Sequence, residues 1–234
     1  AVWFLRTLFT MKLNVLYDDN HVLVVEKPAC MPMVPDDSGD LSLLDLAKQW
    51  VKEKYQKPGA VFLGVVHRLD RPVSGVVVFA RTSKAAARLT KSWQENKVEK
   101  MYVAVSENKA PSKIGEDGEW TQWLYKDRQK NRVSVNRCDG AKEARTEYRV
   151  VHSDDKGTLL HLWPLTGRSH QLRVACATNG MVLLGDLKYG ARAPMANKEI
   201  GLHAASLSFP HPTKGEKVTI ELPAPSWAAE RLRS

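Results

Sequence analysis

A chain of 234 residues with 43% hydrophobic content can bury the core of one large domain or two small ones, and its formal charge of +9 points to a polyanionic partner, nucleic acid above all. The three cysteines, Cys30, Cys138 and Cys176, lie far apart without a Cys-x-x-Cys pair, which argues against a zinc ribbon or a disulfide scaffold and fits a reducing compartment. No stretch approaches the roughly 20 apolar residues of a membrane span, so no membrane partner is expected.

Residues 1–10 carry Trp3, Phe4, Leu5, Leu8 and Phe9 with Arg6 and no acid. They read either as the remnant of an organelle-targeting leader, with Met11 a natural initiator, or as a plain N-terminal strand or helix. Location follows the same fork: cytoplasmic, or a mitochondrion or other organelle if a leader once stood there. Asn14-Val15-Leu16-Tyr17 and His21-Val22-Leu23-Val24-Val25-Glu26 read as strands joined by the polar turn Asp18-Asp19-Asn20, the second ending in Lys27-Pro28. Asp36 to Asp40 is a loop. Ser42 can cap a helix running through Leu43, Leu44, Leu46, Ala47, Trp50 and Val51 at helical spacing, and Lys57-Pro58-Gly59 ends it.

Next, Gly64-Val65-Val66 and Val76-Val77-Val78-Phe79-Ala80 are short, Val-rich runs bounded by Gly and Pro, the pattern of buried strands. They bracket the polar cluster His67-Arg68-Leu69-Asp70-Arg71, which Pro72 keeps from being helical. A carboxylate between two Arg stays ionised, because positive charge favours its charged form. Such an Asp can be a nucleophile, a base, a metal ligand, or only one end of a buried salt bridge, and the segment alone leaves these open. Thr82 or Ser83 caps a second helix with Ala86, Leu89 and Trp93 on its apolar face. Val98 to Val105 alternates as a strand containing Lys100 and Tyr102.

Glu107 to Gly118 reads as a loop and Trp120 to Tyr125 as a strand. The basic stretch with Lys126, Arg128, Lys130, Arg132 and Arg137 reads as a solvated hairpin that can also grip an RNA backbone. Arg145 to Val151 and Thr158 to Leu165 form an antiparallel hairpin around Asp154-Asp155-Lys156-Gly157. In Thr166-Gly167-Arg168-Ser169-His170-Gln171-Leu172-Arg173, Gly167 breaks the strand and Ser169 can cap a helix running through Ala177. His170 and Arg173 then share a face beside the positive helix terminus, a cradle for a phosphate or a carboxylate. Val218 to Leu222 is a strand, and Trp227 to Leu232 a short helix. Many strands with few helices make the class α+β with a large, mainly antiparallel sheet.

His67-Arg68-Leu69-Asp70, three further residues, Ser74-Gly75 and a hydrophobic strand resemble the signature of the RluA-type RNA pseudouridine synthases, with Pro72-Val73 where Asp-Thr is commoner. Lys27-Pro28, the Lys-x-Tyr-x-Ala strand, Thr166 to Arg173, Gly185-Asp186, Tyr189-Gly190, Leu202-His203-Ala204 and His211-Pro212 match the family's other motifs in order, from about Asn14 to about Leu222. Ala175 departs where the family has His, which bears on substrate contacts.

The resemblance implies a single pseudouridine-synthase-like catalytic domain at residues 14–234, with a large mixed, mainly antiparallel sheet and a central cleft. Residues 1–13 would be an N-terminal extension or leader remnant. It implies a monomer that isomerises specific uridines in rRNA or tRNA with no cofactor and no metal. Asp70 would be the catalytic carboxylate, as nucleophile or as base at the ribose, with Arg173 holding it. Tyr102 would stack on the base and assist proton transfer from carbon 5. Arg68 would fill the space left by the flipped uridine, and His67, Arg168, His170, Gln171 and Leu202 would contact the substrate. The alternative is a non-catalytic RNA-binding or ribosome-assembly factor that keeps the fold. Metal-dependent phosphoryl transfer would need further carboxylates beside Asp70, where the sequence has Arg and His.

Overall fold

The computed structural model describes residues 12–232 except 112 and 114; the two readings of residues 1–10 fall outside them. The Val-rich runs form β2 (Val22–Lys27) and β4 (Ser74–Ala80), which pair antiparallel from Val22↔Ala80 to Lys27↔Gly75. Successive side chains of a strand point to opposite faces. Leu23, Val25, Val77 and Phe79 therefore enter the core beneath α1 (Leu43–Lys54), and Val22, Val24, Val76 and Val78 the core beneath α2 (Ser83–Gln94). With a helix on each face, the strands are apolar without alternation over Val22 to Val25 and Val76 to Ala80. Each such buried side chain is worth about 1.5–3 kcal/mol. The helices begin where the sequence places them: Ser42 Oγ accepts from the Asp45 amide and Thr82 Oγ1 from the Ala85 amide, both at 3.1 Å.

One sheet holds all the described strands. Its main path runs β1 (Val15–Asp18), β2, β4, β10 (Leu202–Pro210), β5 (Glu99–Ser106), β9 (Gly157–Pro164), β8 (Lys142–Asp154), β6 (Asp117–Asp127), β7 (Arg132–Val135). β3 (Gly64–Val65) adds to β4 and β11 (Lys217–Glu221) to β10. Among the described residues only β4 and β10 pair parallel, through His203↔Ser74 and Ala204↔Gly75. The sheet is thus mixed and mainly antiparallel. The loop from Glu107 ends earlier than the sequence suggests, because β6 starts at Asp117, and the basic stretch is the β6–β7 hairpin.

One local expectation fails. α3 (Gln171–Thr178) is capped not by Ser169 but at His170, which sits in the left-handed region (φ 52°) without a side-chain cap. The Gln171 side chain instead fastens the turn that precedes the helix, accepting from the Arg168 amide at 3.0 Å. α4 (Ser226–Leu232) closes the described chain and buries Ala228 beside Val103 and Val105 of β5.

The parallel contact needs a residue without a side chain. Gly75 has φ +129°, and a Cβ there would lie 2.3 Å from the Ala204 carbonyl oxygen. Backbone on both sides cannot yield cheaply. Gly75→Ala should lower stability by about 3 kcal/mol or more, read from the shift in the urea unfolding midpoint.

Candidate active site

The loop between β3 and β4 carries Asp70 and is tied from below. Lys27, at the end of β2, is fully buried, and its ammonium donates to the carbonyls of Pro28 (3.0 Å), Arg71 (2.9 Å) and Val73 (2.6 Å). Three donors meet three acceptors. Burial still pushes this ammonium down to about 7, against the opposing pull of Cys30 and Asp70. Leu69 and Val73 are buried in the core on either side, while the Asp70 carboxylate remains 29% exposed at the cleft.

The two sequence neighbours of Asp70 do not hold it. Arg71 turns to the 36–40 loop, where its guanidinium meets Asp36, Ser38, Asp40 and the Cys30 carbonyl. Arg68 is exposed at the cleft mouth. The cation at Asp70 comes from α3: Arg173 Nη1 donates to Asp70 Oδ2 at 3.1 Å. The rest of that guanidinium is locked, with Nε and Nη2 each 2.7 Å from an oxygen of Asp186. Burial works against the charge of Arg173, but Asp186 and then Asp70 outweigh it and raise its pKa. The guanidinium lies over the Tyr189 ring, 5.1 Å from its centre. Tyr189 in turn bonds His170 Nδ1 at 2.7 Å, leaving His170 Nε2 3.9 Å from Asp70 Oδ2. Burial lowers the pKa of His170 despite Asp70. Tyr102 on β5 and Leu202 at the start of β10 line the same cleft. Burial, and then Asp70, raises the Tyr102 phenol and keeps it neutral.

This cleft has a volume of about 1010 Å³. Arg68, Lys100, Lys126, Arg168 and Lys188 line it, against Asp36 and Asp70. Burial pushes Lys100 down to about 8.

Two of the residues expected at the substrate line the cleft with hydrogen-bonding groups already engaged within the protein. Gln171 is buried, and its amide is fully used: the oxygen accepts from Thr166 Oγ1 and the Arg168 amide, and the nitrogen donates to the Arg145 carbonyl and Thr146 Oγ1. It shapes the 166–170 turn. His67 accepts the Val78 amide on Nε2 at 3.0 Å and stacks on Trp93, ring centres 4.9 Å apart. It fixes the start of the loop that carries Asp70. Ala175 is buried in the main core and does not line the cleft, so the absent family His has no counterpart contact there.

A family model described as RNA pseudouridylate synthase matches residues 21–178. The chain belongs to that family. It is 35% identical over 222 residues to the dual-specificity RNA pseudouridine synthase RluA of Escherichia coli O6:H1, covering 91% of this chain and 93% of the relative. It is 30% identical to the ribosomal large subunit pseudouridine synthase C of Buchnera aphidicola, covering 90% of this chain and 67% of that protein. The fold matches human RNA Pseudouridylate Synthase Domain Containing 4 with a TM-score of 0.74 at 23% identity, over 94% of this chain and 92% of that one. This chain is therefore an RNA pseudouridine synthase of RluA type, an isomerase. No described helix is long and apolar enough to cross a membrane.

In this synthase the Lys27-Pro28, Gly185-Asp186 and Tyr189-Gly190 matches acquire their roles only in the fold, where Lys27 holds the Asp70 loop, Asp186 holds Arg173 and Tyr189 holds His170. The available signal is donor count: a buried guanidinium carries five N–H groups, and one carboxylate at the cleft leaves donors for a second acceptor behind it. Asp186→Asn keeps the shape and removes its charge. It should cost about 3–5 kcal/mol in denaturant unfolding, the scale of a broken buried pair.

His67 sets an acid limit. Its folded pKa is pushed from 6.5 to about 3 by burial, with Lys100 adding to it. The unfolded chain takes up the proton first, so this stability is complete above pH 6.5 and is lost as pH falls toward about 3. His67→Gln can still accept the Val78 amide and should flatten the loss. Urea midpoints at neutral pH and about two units below check it; a reduced slope is expected, because burial lowers His161, His170 and His203 as well.

Proposed function

We propose that this synthase isomerises uridines of rRNA or tRNA with Asp70 as its catalytic carboxylate, assisted by Arg173 and Tyr102. The observation carrying the reading is the chain Asp186–Arg173–Asp70 on the floor of a cleft lined with cations. The names of the large-subunit and dual-specificity relatives support the substrate class. Residues 14–234 act as one catalytic domain. One copy supplies every residue named, which supports a monomer, and a cytoplasmic location fits an RNA substrate.

In this reading the target uridine leaves its stack and enters the cleft. Arg173 and His170 both face Asp70 Oδ2, and no hydrogen bond reaches Oδ1 from the described residues. Oδ1 is then the oxygen turned to the ribose. The N1–C1′ bond breaks, the base rotates, and a bond forms from C1′ to carbon 5, which gives up its proton as N1 becomes protonated. Tyr102, neutral in this setting, offers a ring for the uracil and a hydroxyl that relays the proton. Arg68 at the mouth fills the space left in the RNA. Arg168, His170 and Leu202 border the uridine, while His67 and Gln171 act through the backbone they hold. A non-catalytic RNA-binding role would not need Asp70, Tyr102 and Arg173 gathered at one cleft.

Tritium release from uridine-labelled RNA, with and without EDTA, tests the assignment. Asp70→Asn should lower turnover by about 10³-fold while RNA binding persists. Arg173→Lys should retain some activity and Arg173→Met almost none, because only the planar fork serves both carboxylates. Full activity in Asp70→Asn would remove the proposed chemistry.

A further inference from the structure

A second groove, of about 780 Å³, lies between the β6–β7 hairpin and the 167–169 turn. Lys126, Gly167, Arg168 and Ser169 line both this groove and the catalytic cleft. The two hollows share a rim, so one strand of RNA can run from one into the other. The hairpin is braced against the active site: the Val133 amide donates to the Tyr189 hydroxyl at 3.0 Å, and that hydroxyl bonds His170.

The charges here are unlike those on the rest of the same strands. On β8, Arg145 and Arg149 each fork onto a carboxylate of β6, Glu119 and Asp117. Lys126, Arg128 and Lys142 line the groove and have no carboxylate within ion-pair distance among the described residues. Asp127, the acid in the lining, accepts the Lys130 amide. Arg168 spends Nε on the Glu143 carbonyl, which leaves its charge uncompensated. Gathered like charges repel unless an anion sits among them. Beside them lies Tyr125, 38% exposed, a flat aromatic surface in the groove. Cations that track a backbone and an aromatic on which a base stacks are the chemistry of single-stranded nucleic acid binding.

We propose that this groove binds the single-stranded RNA that flanks the target uridine. Its phosphates lie on Lys126, Arg128, Lys142 and Arg168, and one base stacks on Tyr125. The proposal rests on the RNA synthase reading and adds a subsite to it. An acidic protein segment would satisfy the charges but leave the aromatic and the shared rim without purpose.

The test compares an oligouridine long enough to span both hollows with the trinucleotide UpUpU. Tyr125→Ala should weaken the long probe about tenfold or more. Arg128→Gln and Lys142→Gln should each lower the slope of log Kd against log salt by about 0.7. UpUpU should bind all of these variants as it binds the parent. Arg149→Gln removes the same charge from the paired outer surface and serves as control; it should leave the long probe unaffected. Equal weakening by Arg149→Gln, equal weakening of UpUpU, or no loss in the groove variants would each overturn the subsite. Polyglutamate binding that falls in the Arg128 and Lys142 variants while oligouridine binding holds would overturn it in favour of an acidic protein. Failure of the parent protein to isomerise tritiated uridine would instead strike the catalytic assignment and leave the binding comparison standing.

Discussion

A guanidinium cannot be buried beside a sheet without counter-charge, and Arg173 meets that demand asymmetrically. Two of its N–H groups are spent on Asp186, whose carboxylate is almost wholly buried, and one is extended to Asp70 at the cleft. The fixed pair behind makes the free prong in front a positioned donor rather than a mobile cation. Lys would supply charge without this division of labour. The position of α3 therefore sets the position of the cation that partners Asp70. That position depends on the 166–170 turn, which Gln171 holds with four hydrogen bonds.

The other half of the site is clamped from the sheet. Lys27 bonds the carbonyls of the Asp70 loop from the end of β2, and Gly75 lets the strand after the loop meet β10. Ser74 Oγ and His203 Nδ1, 2.8 Å apart, tie the same junction. The one parallel contact in the described sheet thus lies beside the Asp70 loop. Apolar burial on both faces of β2 and β4 makes the frame stiff, and the polar ties turn that stiffness into a fixed carboxylate.

Charge is distributed by task. The outer surface of the β6–β8 sheet carries matched Arg and acid pairs, each worth little in water. Apart from the paired Arg71 and Arg173, the cations lining the cleft and the adjoining groove lack such partners among the described residues, and a polyanion can supply them. A formal charge of +9 fits an anionic partner without placing it; the separation of paired from unpaired cations is visible only in the fold.

Local features were legible in the sequence because they depend on near neighbours. The apolar runs of β2 and β4, the caps at Ser42 and Thr82, and the hairpin around Asp155 follow from periodicity and capping chemistry alone. The order of motifs likewise brought Asp70, Tyr102 and Arg173 together as a group before any coordinates. Which polar groups meet was decided by tertiary structure. Arg71 stands next to Asp70 in sequence yet reaches carboxylates 31 and 35 residues back, while the cation that touches Asp70 is 103 residues ahead. His67 and Gln171, polar residues inside the best-matched motifs, line the cleft and also satisfy backbone groups that lie far from them in sequence. A side chain's partner is set by the direction in which its backbone holds it and by what the fold brings there, and neither is a property of adjacent residues.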